Sequence, residues 1–443
     1  MITSRLTLLL AVIPAAGLAP AAEPAVKLVE TFDDKHVTRV EVRSSIGGKI
    51  SRPVGEGKPA EVVPLTGSHH FVYDERPLPS EDPTTKKLVR AYRTFEFART
   101  IKDEEQKADV RKEVRRMVVL RDDKGRKAPF SPDGPLTFGE IDVVKNDPFI
   151  PTLVPGLLPP REVSPGARWA ATEAAVLDLT DLDKVEGGGL EVEFVGVVEV
   201  DKRKHAKLTV SGAVRGVNED GPSRQQLDGT GYFDLEANRL SYLKLNGVHE
   251  LLDAKGKVTG KIEGTYTLTR TASPKAEEFT DAALKGVELK PTDDNTLLLH
   301  DNPDLGVRFL HPRRWRVGVV QGRQFTLDED AGGGALFTVL PAAKMPTAAA
   351  FQGEVKAFLA KQKAKLSPIP EPKRWQEKPA IDRFGFDAEM ESGKARMEYA
   401  VLTTADGGVT VVARLPQKLA ADLTPDLERV LKSLTVTKKI AEK

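Results

Sequence analysis

Alternation of apolar and polar residues is the strongest pattern in the chain, and it predicts β-strands over much of the first 270 residues. From 190 to 194 apolar residues alternate with Glu191 and Glu193, and from 262 to 268 apolar or small residues alternate with polar ones. A period of two gives a strand one dry face and one solvated face. Turn-forming residues separate the runs at 201–204, 218–221, 236–238 and 254–256. Long strands joined by short turns predict an antiparallel meander.

Helices are predicted at two places upstream of these strands. Leu88, Tyr92 and Phe95 follow one another at intervals of four and three residues, which is helical spacing. Thr137 and Glu140 have the spacing of a capping box, in which two side chains satisfy the free amides of a helix start. We therefore expect a helical insertion in an otherwise β-rich region.

A proline-rich segment follows the predicted second helix. Residues 148–160 contain five prolines among apolar side chains, which predicts an extended loop. Because an apolar loop is unfavourable in water, we expect it to pack across an open face of the sheet.

The region from 295 to 437 mixes strands with helices. Strands are predicted near 306–309, 325–327, 334–340, 384–391, 395–404 and 409–415. One helix is expected after Thr347, with a buried stripe of Phe351, Val355, Phe358 and Leu359. A last helix is expected with Thr424 as its N-cap and Pro425 in its first turn, and with a stripe of Leu427, Val430, Leu431 and Leu434.

These patterns predict an α+β protein: a strongly bent, half-barrel-like antiparallel sheet domain, then a smaller antiparallel sheet domain with flanking helices. Periodicity is lost from 271 to 278, which predicts a linker. A length of 443 residues fits two or three domains. The predicted divisions are a signal peptide (1–22), a bent sheet domain with a helical insertion (23–270), a linker (271–294), an α+β domain (295–437) and a tail (438–443).

The first 22 residues resemble a secretory signal. Arg5 precedes a short apolar stretch, and Ala19, Pro20 and Ala21 give the small-x-small pattern that signal peptidase accepts. We expect cleavage near Ala21 and export to the periplasm or beyond. The stretch is shorter than the roughly 20 residues that span a bilayer, so no integral membrane span is expected. The chain has no cysteine, which excludes disulfides and a lipidated cysteine anchor.

Charge argues against a nucleic-acid partner. Lys and Arg number 66 and Asp and Glu 65, which gives a net charge of +1. The densest charged run, 102–127, mixes both signs. Nucleic-acid binding is normally accompanied by a basic excess or a basic stripe.

The first block resembles a family of exported planctomycete-type bacterial proteins for which no activity is established. The resemblance lies in FSPDGPLT at 130–137 with Glu140, LLP at 157–159, GARW at 166–169, DGTGYFD at 228–234 and NRL at 238–240. It implies a bent antiparallel sheet similar to the half-barrels of lipoprotein carriers, which hold acyl chains inside the curve. A hydrophobic ligand is thus implied by analogy of fold.

The second block resembles the photosystem II subunit P and Mog1 group. The shared residues are LGVRFLHP at 305–312, Trp315 and LKSLTV at 431–436. The resemblance implies an antiparallel sheet with flanking helices, used mostly for docking proteins. Nothing in the chain matches a manganese-cluster partner, so a photosynthetic role is not implied.

The histidines offer no metal site by spacing. His69 and His70 are adjacent in a predicted strand, so their rings should lie on opposite faces and cannot chelate one ion. His249 and Glu250 begin like a zinc-protease helix, but Asp253 stands where the second histidine belongs.

Two other motifs are also weak. Asp181 and Asp183, within 178–189, fit the start of a calcium loop, but Glu186 occupies the position that needs glycine, so a flexible acidic loop is favoured. The triple glycines at 187–189 and 332–334 lack the setting of a phosphate cradle and are predicted to be turns.

No nucleophile motif is present. The chain has no cysteine and no Gly-x-Ser-x-Gly elbow. A triad of distant Ser, His and Asp would leave no sequence pattern. Trp169, Trp315 and Trp375 could stack on a sugar or lipid, but core anchors with a bonded indole are favoured.

The sequence therefore favours an exported, non-enzymatic binding or interaction protein of the bacterial cell envelope, with a hydrophobic ligand in the curved sheet and an envelope protein as partner. It identifies no catalytic, cofactor-binding or metal residues, predicts no cofactor, and leaves the ligand-binding residues unknown. A hydrolase or a purely structural protein is the alternative. A hydrolase predicts a polar pocket with a histidine beside a carboxylate, and a ligand carrier predicts an open concave face.

Overall fold

The computed structural model describes residues 25–30, 36–52, 60–81, 86–121, 127–145, 156–180, 182–218, 221–362, 364–390 and 393–442. Antiparallel strands dominate, with four α-helices among the described residues, which confirms the α+β class. The predicted signal peptide and most of the proline-rich loop lie outside these residues. The chain divides into two compact units, 1–31 with 154–258 and 32–153 with 259–443. The domain limits predicted from the sequence stay a prediction.

In the unit of 32–153 and 259–443, the first sheet has the strand order β6-β5-β3-β2-β1-β12, with β4 also beside β3. Helix α1 follows its sixth strand in sequence. The elements are β1 (Thr38–Arg52), β2 (Glu61–Leu78), β3 (Lys86–Ile101), β4 (Glu104–Ala108), β5 (Arg116–Arg121), β6 (Lys127–Phe130), α1 (Phe138–Lys145) and β12 (Val258–Ala272).

The predicted helix through Leu88, Tyr92 and Phe95 is wrong, because these residues belong to β3. A β-bulge shifts the pairing of β2 and β3 here: Val72 is opposite Thr94, whereas Tyr73 is opposite Tyr92. Arg93 is the extra residue. An added residue reverses the alternation, so Tyr92 and Phe95, three apart, reach the same buried face. A bulged strand thereby imitates helical spacing.

The unit of 1–31 and 154–258 holds five antiparallel strands in the order β11-β10-β9-β8-β7, with α2 packed on β8. Its elements are β7 (Arg168–Ala170), α2 (Glu173–Thr180), β8 (Lys184–Val200), β9 (Arg203–Asn218), β10 (Gly221–Asp234) and β11 (Arg239–Leu252). The turns between β8 and β9 and between β10 and β11 lie where the sequence predicts them. Asp201 and Lys202 both have positive φ, as a two-residue hairpin turn requires.

The sequence predicted a turn at the glycines 187–189, and this is wrong, because they are part of strand β8. The register of β8 against β9 shifts between Val185 and Gly187, and Gly188 has a φ of 82°. A Cβ on Gly188 would lie 2.1 Å from the carbonyl oxygen of Ala213. Glycine is therefore required by a bulge inside a strand.

Residues 298–436 form two further sheets in the same unit as β1–β6. One has the order β13-β14-β23 and the other β15-β16-β17-β22-β21-β20-β18, with β19 beside β20. Their strands are β13 (Leu298–Asn302), β14 (Val307–His311), β15 (Trp315–Gln321), β16 (Gln324–Glu329), β17 (Gly334–Leu340), β18 (Lys365–Leu366), β19 (Lys373–Gln376), β20 (Ala380–Met390), β21 (Gly393–Thr404), β22 (Gly407–Pro416) and β23 (Thr435–Val436). The helices are α3 (Ala348–Lys361) and α4 (Ala420–Ser433).

Both predicted C-terminal helices exist, with one correction each. Helix α3 follows Thr347 as predicted, and Thr347 is its N-cap. Phe358 is 61% exposed, so the buried stripe is narrower than expected. Helix α4 begins at Ala420, one turn before the predicted N-cap. Thr424 lies inside it and donates a hydrogen bond to the carbonyl of Ala420 at 2.7 Å. The predicted stripe of α4 is buried, which places its apolar side in the core.

Residues of the predicted linker contact the first sheet. Phe279 and Leu284 form a buried cluster with Leu78 and Val89. Arg76 donates hydrogen bonds to the carbonyl of Phe279 and to Asp281. The segment that follows β12 is therefore fixed to β2 by packing and by charge.

Candidate functional site

Helix α1 is positioned by a capping box and an ion pair. The amide of Thr137 donates to Glu140 Oε2 at 2.7 Å, and the amide of Glu140 donates to Thr137 Oγ1 at 3.2 Å. This confirms the predicted box. Arg111 donates to both carboxylate oxygens of Glu140 at 2.9 Å. Burial alone would raise the pKa of Glu140, but the hydrogen bonds from Arg111 and Thr137 outweigh it and hold that pKa below its usual range.

A cleft of about 220 Å³ lies between α1 and strands β1–β4. Ile46, Phe97 and Val143 give it apolar walls. Gly139 of α1 leaves room, since a Cβ added there would have no heavy atom within 4 Å. We call this space the α1 cleft; its lining also includes Ser44, His69, Arg99, Gln106, Ala108 and Asp142.

The polar centre of the α1 cleft is a serine–histidine pair. Ser44 and His69 are direct partners across β1 and β2, and His69 is opposite Phe97 of β3. The Oγ of Ser44 lies 2.8 Å from Nδ1 of His69. The imidazole stacks on Phe71, with ring centroids 4.7 Å apart. Register and stacking together fix the ring beside the cleft.

The same face of the sheet is otherwise filled by its own aromatic side chains. Phe71, Tyr73, Tyr92 and Phe95 are buried and stack on one another at centroid distances from 4.6 to 6.4 Å. Such interlocked rings leave no room for a ligand. On the described part of this face, open space remains around Ser44, His69 and Phe97.

A second cleft of about 680 Å³ includes His70 in its lining and adjoins the α1 cleft, with which it shares Ser44, His69 and Phe97. His70 lies one residue from His69 and so faces the other side of β2, as predicted. Its Nε2 is 3.0 Å from Glu41 Oε1 and its Nδ1 is 3.6 Å from Glu96 Oε2. The two carboxylates approach opposite ring nitrogens, so they bracket the imidazole and do not converge on a common metal position. We call this the His70 cleft.

Glu41 is held in its ionised form at the His70 cleft. Burial would raise the pKa of Glu41, but hydrogen bonds from Arg43 and His70 outweigh it, so the pKa lies below its usual range. Arg43 in turn pairs with Glu41 at 2.6 Å. The cleft therefore presents charges that already have partners.

The surroundings of Ser44 do not suit acyl transfer. Ser44 lies in the middle of β1 and is paired with His69 on one side and with Tyr266 of β12 on the other. Backbone amides of a strand with two neighbours are used in the ladder. An oxyanion hole needs free amides close to the nucleophile, so the pair suits hydrogen bonding to a ligand better than nucleophilic attack.

The other motifs considered in the sequence lie mainly in regular helices and strands. His249 and Glu250 lie in strand β11, which agrees with the rejection of a zinc-protease helix. The weak calcium motif is divided between α2 and β8, so the flexible loop predicted there is wrong; Asp181 is outside the described residues. Within the described part of the chain, no three acidic or histidine residues are grouped to hold a metal ion.

The tryptophans mostly act as anchors. Trp315 is buried and its indole donates to Asp426 Oδ2 at 2.9 Å. Trp169 donates to the carbonyl of Leu157 at 2.8 Å. Trp375 is half-buried, with Arg383 and Lys432 over its ring at 5.6 and 5.9 Å. Trp315 and Trp169 therefore have the bonded indole that the sequence favoured.

Comparison with known proteins gives only weak structural likenesses. No protein-family model matches the chain, and no curated protein matches it. Cyanobacterial PsbP (CyanoP) from Synechocystis matches 32% of this chain and 92% of its own, at 13% identity and a TM-score of 0.26. The Ran-binding protein Mog1p of Saccharomyces cerevisiae matches 32% of this chain and 96% of its own, at 10% identity and a TM-score of 0.25. These weak likenesses agree loosely with the resemblance read from 295–437 and carry no argument about function.

No helix in the described residues has the length and apolar character needed to cross a bilayer. Sequence reasoning placed His69 and His70 on opposite faces and placed α1, but it missed the α1 cleft. Ser44 and Phe97 carry no local signal, since each joins the site only through the pairing of strands distant in sequence.

Proposed function

We propose that this chain is an exported, non-enzymatic binding protein of the bacterial cell envelope that holds an apolar group of its ligand in the α1 cleft. The single observation that supports the proposal most is an open space bordered by Ile46, Phe97 and Val143. Apolar walls with a few convergent polar groups are the usual make-up of a small-molecule site.

The serine–histidine pair supports binding over chemistry. Ser44 and His69 offer a hydroxyl and an imidazole to a ligand, and the amides of β1 are used in the ladder. At about 220 Å³ the cleft is smaller than the roughly 300–1,000 Å³ typical of drug-sized ligands. It therefore suits a short apolar group or one end of a longer chain.

Filling the cleft from α1 tests the proposal. In Gly139→Leu the new side chain enters space in which a Cβ meets no atom within 4 Å. Leucine also favours a helix over glycine, by up to about 1 kcal/mol. We expect the variant to fold at least as stably as the wild type and to lose at least ten-fold in affinity for the neutral fluorescent probe N-phenyl-1-naphthylamine, measured by titration.

Gly353→Leu is the matched control. Gly353 also lies in a helix, α3, and an added Cβ there also meets nothing within 4 Å, but it does not line the cleft. Probe binding should be unchanged in this variant. Equal binding by Gly139→Leu and wild type, or no binding by the wild type, would contradict the proposal and favour a purely structural protein.

A second candidate, a hydrolase, is favoured by one observation: the 3.0 Å contact of His70 with Glu41 at the His70 cleft. A histidine beside a carboxylate can act as a general base on water. A panel of chromogenic esters, glycosides and peptides tests this candidate. Turnover that is lost in His70→Gln and kept in Ser44→Ala would support it, and an inactive wild type would remove it.

A further inference from the structure

Arg99 differs from its cationic neighbours in having no carboxylate partner among the described residues. Its Nε and Nη2 both donate to one oxygen, Oε1 of Gln106, at 3.1 and 2.8 Å. By contrast, Arg43 pairs with Glu41 and Lys107 with Glu105. The hydrogen-bond partner of the Arg99 guanidinium is therefore an uncharged amide.

Arg99 lies at the α1 cleft with its side chain on the cleft's face of the sheet. It follows Phe97 by two residues in β3, so both side chains lie on the same face. It is opposite Gly67 of β2 and Gln106 of β4, and all three line the cleft. Two hydrogen bonds to Gln106 hold the guanidinium in one orientation before any ligand arrives.

The cleft's charges favour an anionic ligand. Among the charged side chains that line it, Lys107 pairs with Glu105, whereas Arg99 has no carboxylate partner in the described part of the chain, and Asp142 is the one carboxylate. Asp142 also interacts favourably with the charge of Lys145 in the same helix. A guanidinium matches a carboxylate well, because two parallel N–H groups can meet two oxygens.

We propose that the α1 cleft binds an unbranched aliphatic carboxylate, with its chain between Ile46, Phe97 and Val143 and its carboxylate on Arg99. This inference rests on the proposed function and adds the charge of the ligand to it. The small volume selects a medium-length chain, or the head and first carbons of a longer one.

A ligand series that differs only in the head group tests the charge. Octanoate, 1-octanol and octyltrimethylammonium are titrated against the bound neutral probe. We expect octanoate to displace it at concentrations at least ten-fold lower than 1-octanol, and the cation to be weakest. In Arg99→Gln that difference should vanish, with binding of 1-octanol unchanged.

Arg43→Gln is the matched control, because Arg43 is an exposed arginine of the same sheet that does not line the α1 cleft. It should leave the octanoate preference intact, and Arg99→Lys should keep part of it. Equal displacement by octanoate and 1-octanol in the wild type, or an octanoate preference that survives in Arg99→Gln, would overturn this inference and leave the apolar site standing. Failure of all three ligands and of the probe would instead overturn the proposed function as well.

Discussion

Asp74 accepts two hydrogen bonds from Arg39, one on each carboxylate oxygen, both at 2.9 Å. Asp74 is fully buried, and it also accepts from Arg93 at 2.7 Å and from Ser273 Oγ at 2.9 Å. Burial alone would raise the pKa of Asp74, but these donors outweigh it and keep that pKa below its usual range. One carboxylate thus joins β1, β2, β3 and the segment after β12.

We expect Asp74→Ala to lower the free energy of unfolding by about 3 kcal/mol. Removing one member of a buried ion pair typically costs about 3–5 kcal/mol, and the lower end applies because Arg39 and Arg93 stay partly exposed. The measurement is urea unfolding followed by circular dichroism. Asp103→Ala, in the exposed turn between β3 and β4, is the control and should change little. A loss below about 0.5 kcal/mol would show that the network contributes no net stability.

Loss of the capping box should lower the stability by a smaller amount. Thr137→Ala removes the side chain that accepts from the amide of Glu140, and losing such a cap costs about 1 kcal/mol. Because α1 forms one wall of the cleft, the variant should also weaken binding of the neutral probe. Thr271→Ala, at an exposed position of β12, is the control for both measurements. A variant with unchanged unfolding midpoint would mean that Arg111 alone holds Glu140 and the helix start.

We expect the protein to lose stability in mild acid, because two histidines have lowered pKa values in the folded state. Burial lowers the pKa of His300, against a smaller opposing effect of Asp301. Burial also lowers the pKa of His311, and the nearby His300 adds to this effect. The unfolded chain therefore takes up protons first as the pH falls below about 6.5, and stability rises with pH in the window between that value and the lowered folded pKa.

Unfolding free energies at pH 7.5, 6.5 and 5.5 test this. We expect a decrease towards pH 5.5 that flattens when His300→Gln and His311→Gln are combined. Asp74 and Glu140, whose pKa values are lowered from 3.8 and 4.5, act at lower pH, where their stabilisation is lost as the pH falls through the folded pKa. An unchanged slope in the double variant would assign the loss to other groups.

Periodicity predicted the fold class because most strands alternate cleanly, and it failed where a strand is bulged. Arg93 adds one residue to β3 and turns a period of two into an apparent helical spacing. A bulge also explains the wrong prediction at Gly188, because the glycines there belong to a bulged part of β8 and not to a turn. The start of α4 was misplaced because Thr424 and Pro425 resemble an N-cap, although both lie inside the helix. Bulges and interior prolines depend on tertiary pairing, which a local pattern does not contain.

The candidate site was less predictable than the fold. The alternation of His69 and His70 and the capping box of Thr137 are local, and both were predicted. Ser44 and Arg99 belong to the site only because β1 and β3 flank β2, a relationship set by long-range pairing. Among the described residues Arg99 has no carboxylate partner, which is also a tertiary property, since acids of the neighbouring strands pair with other cations.

Arg313 gives the last prediction, because it joins two segments through their backbone. Its Nε donates to the carbonyl of Thr296 at 2.8 Å and its Nη2 to the carbonyl of Pro129 at 2.6 Å. Burial lowers the pKa of Arg313 to about 10, so the group is still charged at neutral pH.

We expect Arg313→Met to cost about 3 kcal/mol, since two hydrogen bonds from a charged group contribute about 1.5 kcal/mol each at the low end. Arg313→Lys should lose roughly half as much, because one ammonium lacks the planar fork that reaches both carbonyls. Urea unfolding measures both, with the exposed Arg161→Met as control. If the Arg313→Lys variant proved as stable as the wild type, one carbonyl contact would be sufficient and the planar guanidinium would have no special role.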